Sequence, residues 1–267
     1  MDAVRLIASD MDHTLLDENG ELPPGFHGYV RRLNAAGVTF VAASGRPPVR
    51  LKLMFPPREG IGHIGDNGGT VSYHDTILFQ SLLATRSYHD MAARTLASTQ
   101  GVPVICGVDA AFVLSDHREH VAELHGFYPE ITLVESLADV HADADKFTIF
   151  FPEGDSREFY ETVFRPAYGD EFSVTMGGPN WVDLMNRGVH KGHGIRVLAE
   201  HLGLRRHEMM AFGDALNDVE MLDEVEHSYA VSNADESVRK RARFAAASNA
   251  EHGVLRVIEQ VLAAREG

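Results

Sequence analysis

The run VTFVAASG (38–45) has no polar face. It is apolar and β-branched at first, then small, so a strand made from it must be covered on both sides. Such strands belong to parallel sheets, whose neighbours are joined by long crossovers with helices packed on the faces. The chain supplies a crossover. VRLIASD (4–10) is a short apolar run that reads as a buried strand. LPPGFHGYVRRLNAAG (22–37) then reads as a helix. Its prolines suit a helix start, Gly37 suits the position past the end, and Phe26, Val30 and Leu33 lie at helical spacing. Residues 4–45 thus predict strand, helix, strand, with a right-handed crossover. RPPVRLKLMF predicts a further short helix. HIGDNGGTVSYHDTILFQ predicts a strand end, a glycine-rich turn and a small hairpin.

The character changes near residue 83. Residues 87–100 predict a helix and VPVICGVDAAFVLS predicts strands. DKFTIFF (145–151) alternates through Phe147, Ile149 and Phe151, and EFSVTMGG (171–178) through Phe172, Val174 and Met176. Period-two alternation predicts a half-buried, mostly antiparallel sheet. The strand–helix rhythm returns with KGHGIRVLAEHLG, whose Ile195, Leu198 and Leu202 share a helical face ended by Gly203. The strand HEMMAFGD, the strand YAVSN, a helix over 235–243, the strand FAAAS and the helical GVLRVIEQVLAAR follow. The expected fold is α/β. A Rossmann-like doubly wound parallel sheet is built from 1–82 and 186–267, with an α+β unit over 83–185 inserted between the two parts.

A length of 267 residues accommodates one or two domains. Asp and Glu outnumber Lys and Arg 39 to 24, a formal charge of −15, which argues against a nucleic-acid footprint. Cys106 is the single cysteine, so no internal disulfide forms. Met1 leads into DAVRLIASD without a basic, then apolar, leader, and no apolar run reaches membrane-spanning length. The expectation is a cytoplasmic protein with neither a membrane nor a nucleic-acid partner.

In an open parallel sheet, ligands bind beyond the carboxyl ends of the strands, where the strand order reverses. The first strand ends in Asp10 and Asp12, the second in Ser44-Gly45-Arg46, and a later one in FGDALND with Asp214, Asn217 and Asp218. Lys191 opens the helix at the re-entry point. A D-x-D alone is more often a turn or a helix cap than a site, and S-G-R or K-G alone means little. Together they gather four carboxylates at one sheet edge, and like charges at that range need compensation. An oxygen-only set suits Mg²⁺ and not zinc, because no thiolate or imidazole stands among the ligands.

The order D-x-D-x-T, S-G-R, K, G-D-x-x-N-D resembles the haloacid dehalogenase superfamily. SDMDHTLLD, AASGRP, DNGG, VHKG, FGDALNDVEML, SNADESVRKRA and SNAEHGV resemble its Cof-type phosphatases, which carry a large α/β cap between the second and third motifs. The resemblance spans about residues 4–82 and 186–260 and is weak in the cap. It implies a Mg²⁺-dependent phosphatase acting on a small phosphorylated metabolite such as a sugar phosphate. Asp10 would be the nucleophile that forms an aspartyl-phosphate, and Asp12 the acid and base. Mg²⁺ would be held by Asp10, the Asp12 main-chain carbonyl and Asp214, with Asp218 holding its waters or Lys191. Ser44 would bind a phosphoryl oxygen, Lys191 would neutralise charge, and Asn217 would orient the phosphoryl group or Lys191. Gly45 and Arg46 would stand on the substrate side. Asp12 would need a raised affinity for its proton.

Two positions depart from the family. His13 stands where glycine is usual, and SNA (232–234) replaces GNA. His13 is read as occupying backbone geometry usually given to glycine, without a catalytic part. His190 and His193 are read as surface or supporting groups, and Trp181 and Met185 as packing. The turns GVDAA (107–111) and MGGPN (176–180) are candidates for specificity loops. Two other readings stand beside the phosphatase: a phosphomutase, and a non-catalytic phospho-acceptor regulator, against which Asp12 argues.

Overall fold

The computed structural model describes residues 1–55, 60–74 and 76–266. Its strands, in chain order, are β1 (Leu6–Asp10), β2 (Thr39–Ala43), β3 (Gly62–Gly65), β4 (Thr70–Tyr73) and β5 (Thr76–Gln80). Next come β6 (Val102–Gly107), β7 (Ala111–Leu114), β8 (Ile131–Val134), β9 (Ala144–Phe150), β10 (Phe172–Met176) and β11 (Trp181–Asn186). The last three are β12 (Met209–Gly213), β13 (His227–Val231) and β14 (Phe244–Ala246).

Eight strands form one sheet in the order β14-β13-β12-β1-β2-β3-β4-β5. From β14 to β3 all neighbours are parallel, while β4 and β5 add an antiparallel edge. β1 is buried throughout and lies between β2 and β12. The chain runs outward one way through β2 and β3 and the other way through β13 and β14. The order therefore reverses beside β1, where such a sheet opens a crevice. The fold is α/β, with helices Phe26–Ala35, Lys191–Leu202 and Gly253–Glu266 contributing Val30, Ile195, Leu198 and Ile258 to the core of this sheet.

Six strands form a second sheet, β10-β11-β9-β6-β7-β8, antiparallel except for β7 beside β8. It packs a separate core around Phe147, Ile149, Phe151, Val182 and Leu184. The alternation of DKFTIFF predicts a half-buried strand, yet every residue of β9 is buried. Of the polar set of that alternation, Lys146 meets the first sheet rather than solvent, and Thr148 donates to Val182 and Asp183 of β11. The two passages between the sheets run side by side. The Asn186 side-chain amide donates to Ser81 Oγ at 3.0 Å and to the Leu82 carbonyl at 2.8 Å. Among the described residues, no helix is long and apolar enough to cross a membrane.

Candidate active site

Asp10 ends β1, and the chain then turns so that Asp12 and His13 leave helical geometry, His13 with φ 59°. A positive φ is uncommon outside glycine. His13 thus occupies a backbone position that favours glycine, as expected from the family pattern. Its exposed ring borders the cavity. The following loop is held by the late asparagines. Asn233 Nδ2 donates to the His13 carbonyl at 2.7 Å, and Asn249 Nδ2 to the Leu16 carbonyl at 3.0 Å. The amide of Asn249 in turn donates to Asn233 Oδ1 at 3.2 Å. The two SNA motifs therefore fix the loop that follows Asp10. We expect His13→Gly to leave the pH–rate profile unchanged, because the position demands backbone geometry rather than an imidazole. A lost limb of that profile would make the ring catalytic.

The carboxylates divide into two groups. Asp10, Asp214 and Asp218 each offer an oxygen within 4.8 Å of the others. Lys191, fully buried at its helix start, sits 2.5 Å from Asp10 Oδ1 and 2.7 Å from Asp218 Oδ1. Asp218 Oδ2 accepts the amides of Asp214 and Ala215 at 2.9 and 3.1 Å. Both Asp218 oxygens are therefore engaged, one of them on Lys191, which is one of the two roles expected of it. The Thr14 hydroxyl donates to Asp214 Oδ1 at 2.8 Å, accounting for the threonine of the first motif. Gly192 lets the Lys191 helix approach its neighbour, since a Cβ there would stand 2.4 Å from the Glu220 carbonyl oxygen.

Asp12 stands apart. Arg46 holds both its oxygens, Nε to Oδ2 at 2.9 Å and Nη2 to Oδ1 at 2.6 Å. Arg46 Nη1 also donates to the Gly126 carbonyl at 3.1 Å. Burial works against the guanidinium charge, but pairing with Asp12 outweighs it and strengthens the hold on its proton. Arg46 is thus a clamp on Asp12, and with Gly45 it also borders the cavity, where a contact with the substrate side was expected. Ser44 is buried and is not among the described residues that border the cavity, its Oγ accepting the Arg46 amide at 3.1 Å. Asn217 borders the cavity, and its amide nitrogen donates to Asn67 Oδ1 at 3.0 Å. Lys191 is held by Asp10 and Asp218, and the place of Asn217 on the cavity leaves it facing the phosphoryl side, the other role expected of it.

Burial, and then repulsion from Asp218, push the Asp10 carboxyl well above the ordinary range, with Lys191 opposing. Burial and Asp218 also raise Asp214, from 3.8 to about 7. For Lys191, burial disfavours the charge but the two carboxylates outweigh it, so the ammonium holds its proton more tightly. The sign for stability follows. Carboxyls raised in the fold stabilise it fully in acid, and that contribution is lost as pH rises through the Asp214 value near 7. A divalent cation would replace those protons. Mg²⁺ should therefore raise the Tm little at about pH 5 and by several degrees at about pH 8, and Asp214→Asn should flatten the difference. A Mg²⁺ shift that is the same at both pH values would contradict a protonated cluster.

A second buried network was not foreseen. Lys146 of β9, 2% exposed, reaches across to the first sheet. Its Nζ donates to the Gly45 carbonyl and lies 3.1 Å from Asp66 Oδ1 and 3.9 Å from Asp183 Oδ1. Asn67 Nδ2 donates to Asp183 Oδ2, and Thr70 Oγ1 to Asp145 Oδ2, each at 2.6 Å. Asp66, Asn67 and Gly68 all have positive φ, 47°, 53° and 98°. This turn is the DNGG motif. Its amides at Asp66 and Asn67 donate to the carbonyls of Arg46 and Ser44 at 2.9 and 3.0 Å. The sequence signal was the motif itself, together with the Asp145-Lys146 pair that opens the otherwise apolar-rich strand DKFTIFF. Of the two candidate loops, Gly177–Asn180 borders the cavity and GVDAA does not. Trp181, read as packing, also borders it.

A family model for haloacid dehalogenase-like hydrolases matches residues 7–258. The chain belongs to that family. The 5-amino-6-(5-phospho-D-ribitylamino)uracil phosphatase YbjI of Escherichia coli is 30% identical to this hydrolase over 265 residues, 97% of each chain. The hydrolase is similar in structure to SMU.1108c of Streptococcus mutans, with TM-score 0.91 and 28% identity over 97% of this chain and 99% of that one. A haloacid dehalogenase-like hydrolase from B. subtilis shares the fold at TM-score 0.84 and 20% identity, covering 97% and 100%. As a member, the chain is an enzyme, a phosphoric monoester hydrolase.

Proposed function

We propose that this hydrolase removes the phosphoryl group from a small phosphorylated metabolite, with phosphate on a sugar or sugar-alcohol hydroxyl, through an aspartyl-phosphate at Asp10. The observation that carries the reading is Asp10 at the sheet's reversal point, bonded to a fully buried lysine and facing a cavity shared with Asp12 and Asp214. The relative named for a phosphoribityl compound supports a small substrate.

Asp10 attacks phosphorus and the bond to the leaving oxygen breaks. Asp12 gives that oxygen a proton, then takes one from the water that opens the acyl phosphate. The Arg46 pair must open on at least one Asp12 oxygen for this. Lys191 holds the Asp10 carboxylate and offsets the charge arriving with the phosphoryl group. Positioning and charge stabilisation dominate in such loose transition states.

The buried, oxygen-only cluster fits Mg²⁺, because the raised proton affinities of Asp10 and Asp214 mark a site short of positive charge. Asp10, Asp214 and the Asp12 main-chain carbonyl would hold it, with Asp218 fixing Asp214 and Lys191. When bound, Mg²⁺ supplies charge neutralisation at the phosphoryl oxygens. Residues 83–185 act as a cap that closes over the cavity and excludes water. The test is phosphate release from a panel of phosphorylated metabolites with and without Mg²⁺. Free phosphate with no isomeric product supports the reading. An isomerised product makes the chain a phosphomutase, and a phosphoenzyme that persists for minutes makes it a regulator.

A further inference from the structure

The cavity above Asp10 has an aromatic wall. Phe127, Tyr128, Phe150 and Trp181 border it together with Asp10 and Asp12. Trp181 and Phe127 are only half-buried, while Phe150 and Tyr128 are buried behind them. The Trp181 ring lies 4.8 Å from Phe127 at 64° and 4.7 Å from Phe150 at 40°. The Arg46 guanidinium stands 5.0 Å over the Phe127 ring, so this wall begins directly beside the Asp12 clamp.

Lys146, Asp183 and Asn180, the polar side chains beside the aromatic rings, are engaged within the protein, while Glu123, His13 and Asn217 border the cavity elsewhere. Lys146 is held by the Gly45 carbonyl and Asp66, and Asp183 by Asn67 and Thr148. The Asn180 amide nitrogen donates to the Phe151 carbonyl at 2.7 Å. Beside the aromatic rings a bare hexose would bring hydroxyls to groups that already have partners, and buried hydroxyls without new partners are costly. The face of a planar conjugated ring needs no such partners, and its polar edge is left to the rest of the cavity. It stacks on aromatic side chains, and each stacked base adds about ten- to hundredfold in binding.

We infer that the leaving alcohol carries a planar conjugated ring, and that Phe127 and Trp181 are the residues that select for it. The inference rests on the phosphatase reading above and narrows it, since a simple sugar phosphate then lacks the contact that the pocket is built to make.

Matched pairs isolate the ring. Uridine 5′-monophosphate differs from ribose 5-phosphate, and riboflavin 5′-phosphate from ribitol 5-phosphate, by the ring system. With Mg²⁺ present, kcat/KM should be about ten- to hundredfold higher for the ring-bearing partner in at least one pair. In Trp181→Ala and Phe127→Ala that ratio should collapse towards one, while Trp181→Phe should keep most of it. Because the readout is a ratio within each variant, a loss of folded protein does not imitate it. Ring-free partners turned over equally well or better in both pairs would overturn the inference and leave the phosphatase reading standing. A ratio that survives both alanine variants would overturn the assignment to these residues. No phosphate released from any of the four would overturn the phosphatase reading and the inference with it.

Discussion

Asp10→Asn should reduce phosphate release by at least ~10³-fold, the scale on which loss of a nucleophile is felt in enzymes that act through a covalent intermediate. The amide is close in size and can still accept a hydrogen bond from Lys191, so the fold should persist. Stability should even rise at neutral pH. Burial and Asp218 disfavour the charge on Asp10, and the neutral amide removes that repulsion. A steady-state assay beside a thermal melt separates the two effects. Activity within tenfold of the parent would remove Asp10 from the reaction. A collapsed melt would instead show that the Lys191 pair holds the site together.

The second large effect is expected at Lys146, which borders the same cavity as Asp10. Burial opposes its charge, but Asp183, Tyr128 and Asp66 outweigh it and the ammonium is held well above its ordinary proton affinity. Lys146→Met keeps the volume and removes the cation that sits among three buried carboxylates, Asp66, Asp145 and Asp183. Breaking a buried pair from one side costs roughly 3–5 kcal/mol. In a chain of this size that lowers the Tm by about 10 °C. The loss should deepen as pH rises. Burial already raises the Asp66 and Asp145 carboxyls, so these can remain protonated in acid but not in base. Activity should fall as well, because the Gly45 carbonyl loses its partner between Ser44 and Arg46. A variant with an unchanged melt at about pH 8 would mean that the network is relieved by solvent and carries little.

The first sheet was legible because its strands announce themselves. Runs such as VRLIASD and VTFVAASG can only be buried, and the residues that end them are the ones at the reversal point. The aspartates and Lys191 were legible for the same reason: carboxylates at buried strand ends and a lysine at a buried helix start require a common purpose. Partnerships were less legible. Nothing in the spacing of Asp12 and Arg46 indicates that a guanidinium would take both carboxylate oxygens, since that depends on how the loop after β2 turns. Nor does it show that Asn217 would face Asn67.

The second sheet was read with the right alternation and the wrong neighbour. A polar residue in a period-two strand normally meets water, but Lys146 and Asp183 meet the DNGG turn of the other sheet. The pattern gives the face, and only the packing of one sheet on the other says what that face touches. Trp181 packs on Phe127 and Phe150, as read, but that it also borders the cavity was not legible for the same reason. An aromatic residue at a strand start reads as core until an opposing cavity is known.

The central claim is a covalent phosphoryl group on Asp10, and a quench experiment addresses it directly. Enzyme mixed with a turned-over phosphomonoester and Mg²⁺, stopped in acid within milliseconds and digested, should yield the peptide containing Asp10 with one added phosphoryl group, sensitive to hydroxylamine. The label should be absent from Asp10→Asn. Steady phosphate release with no phosphorylated peptide at any quench time, or a label that maps to another residue, would contradict the account.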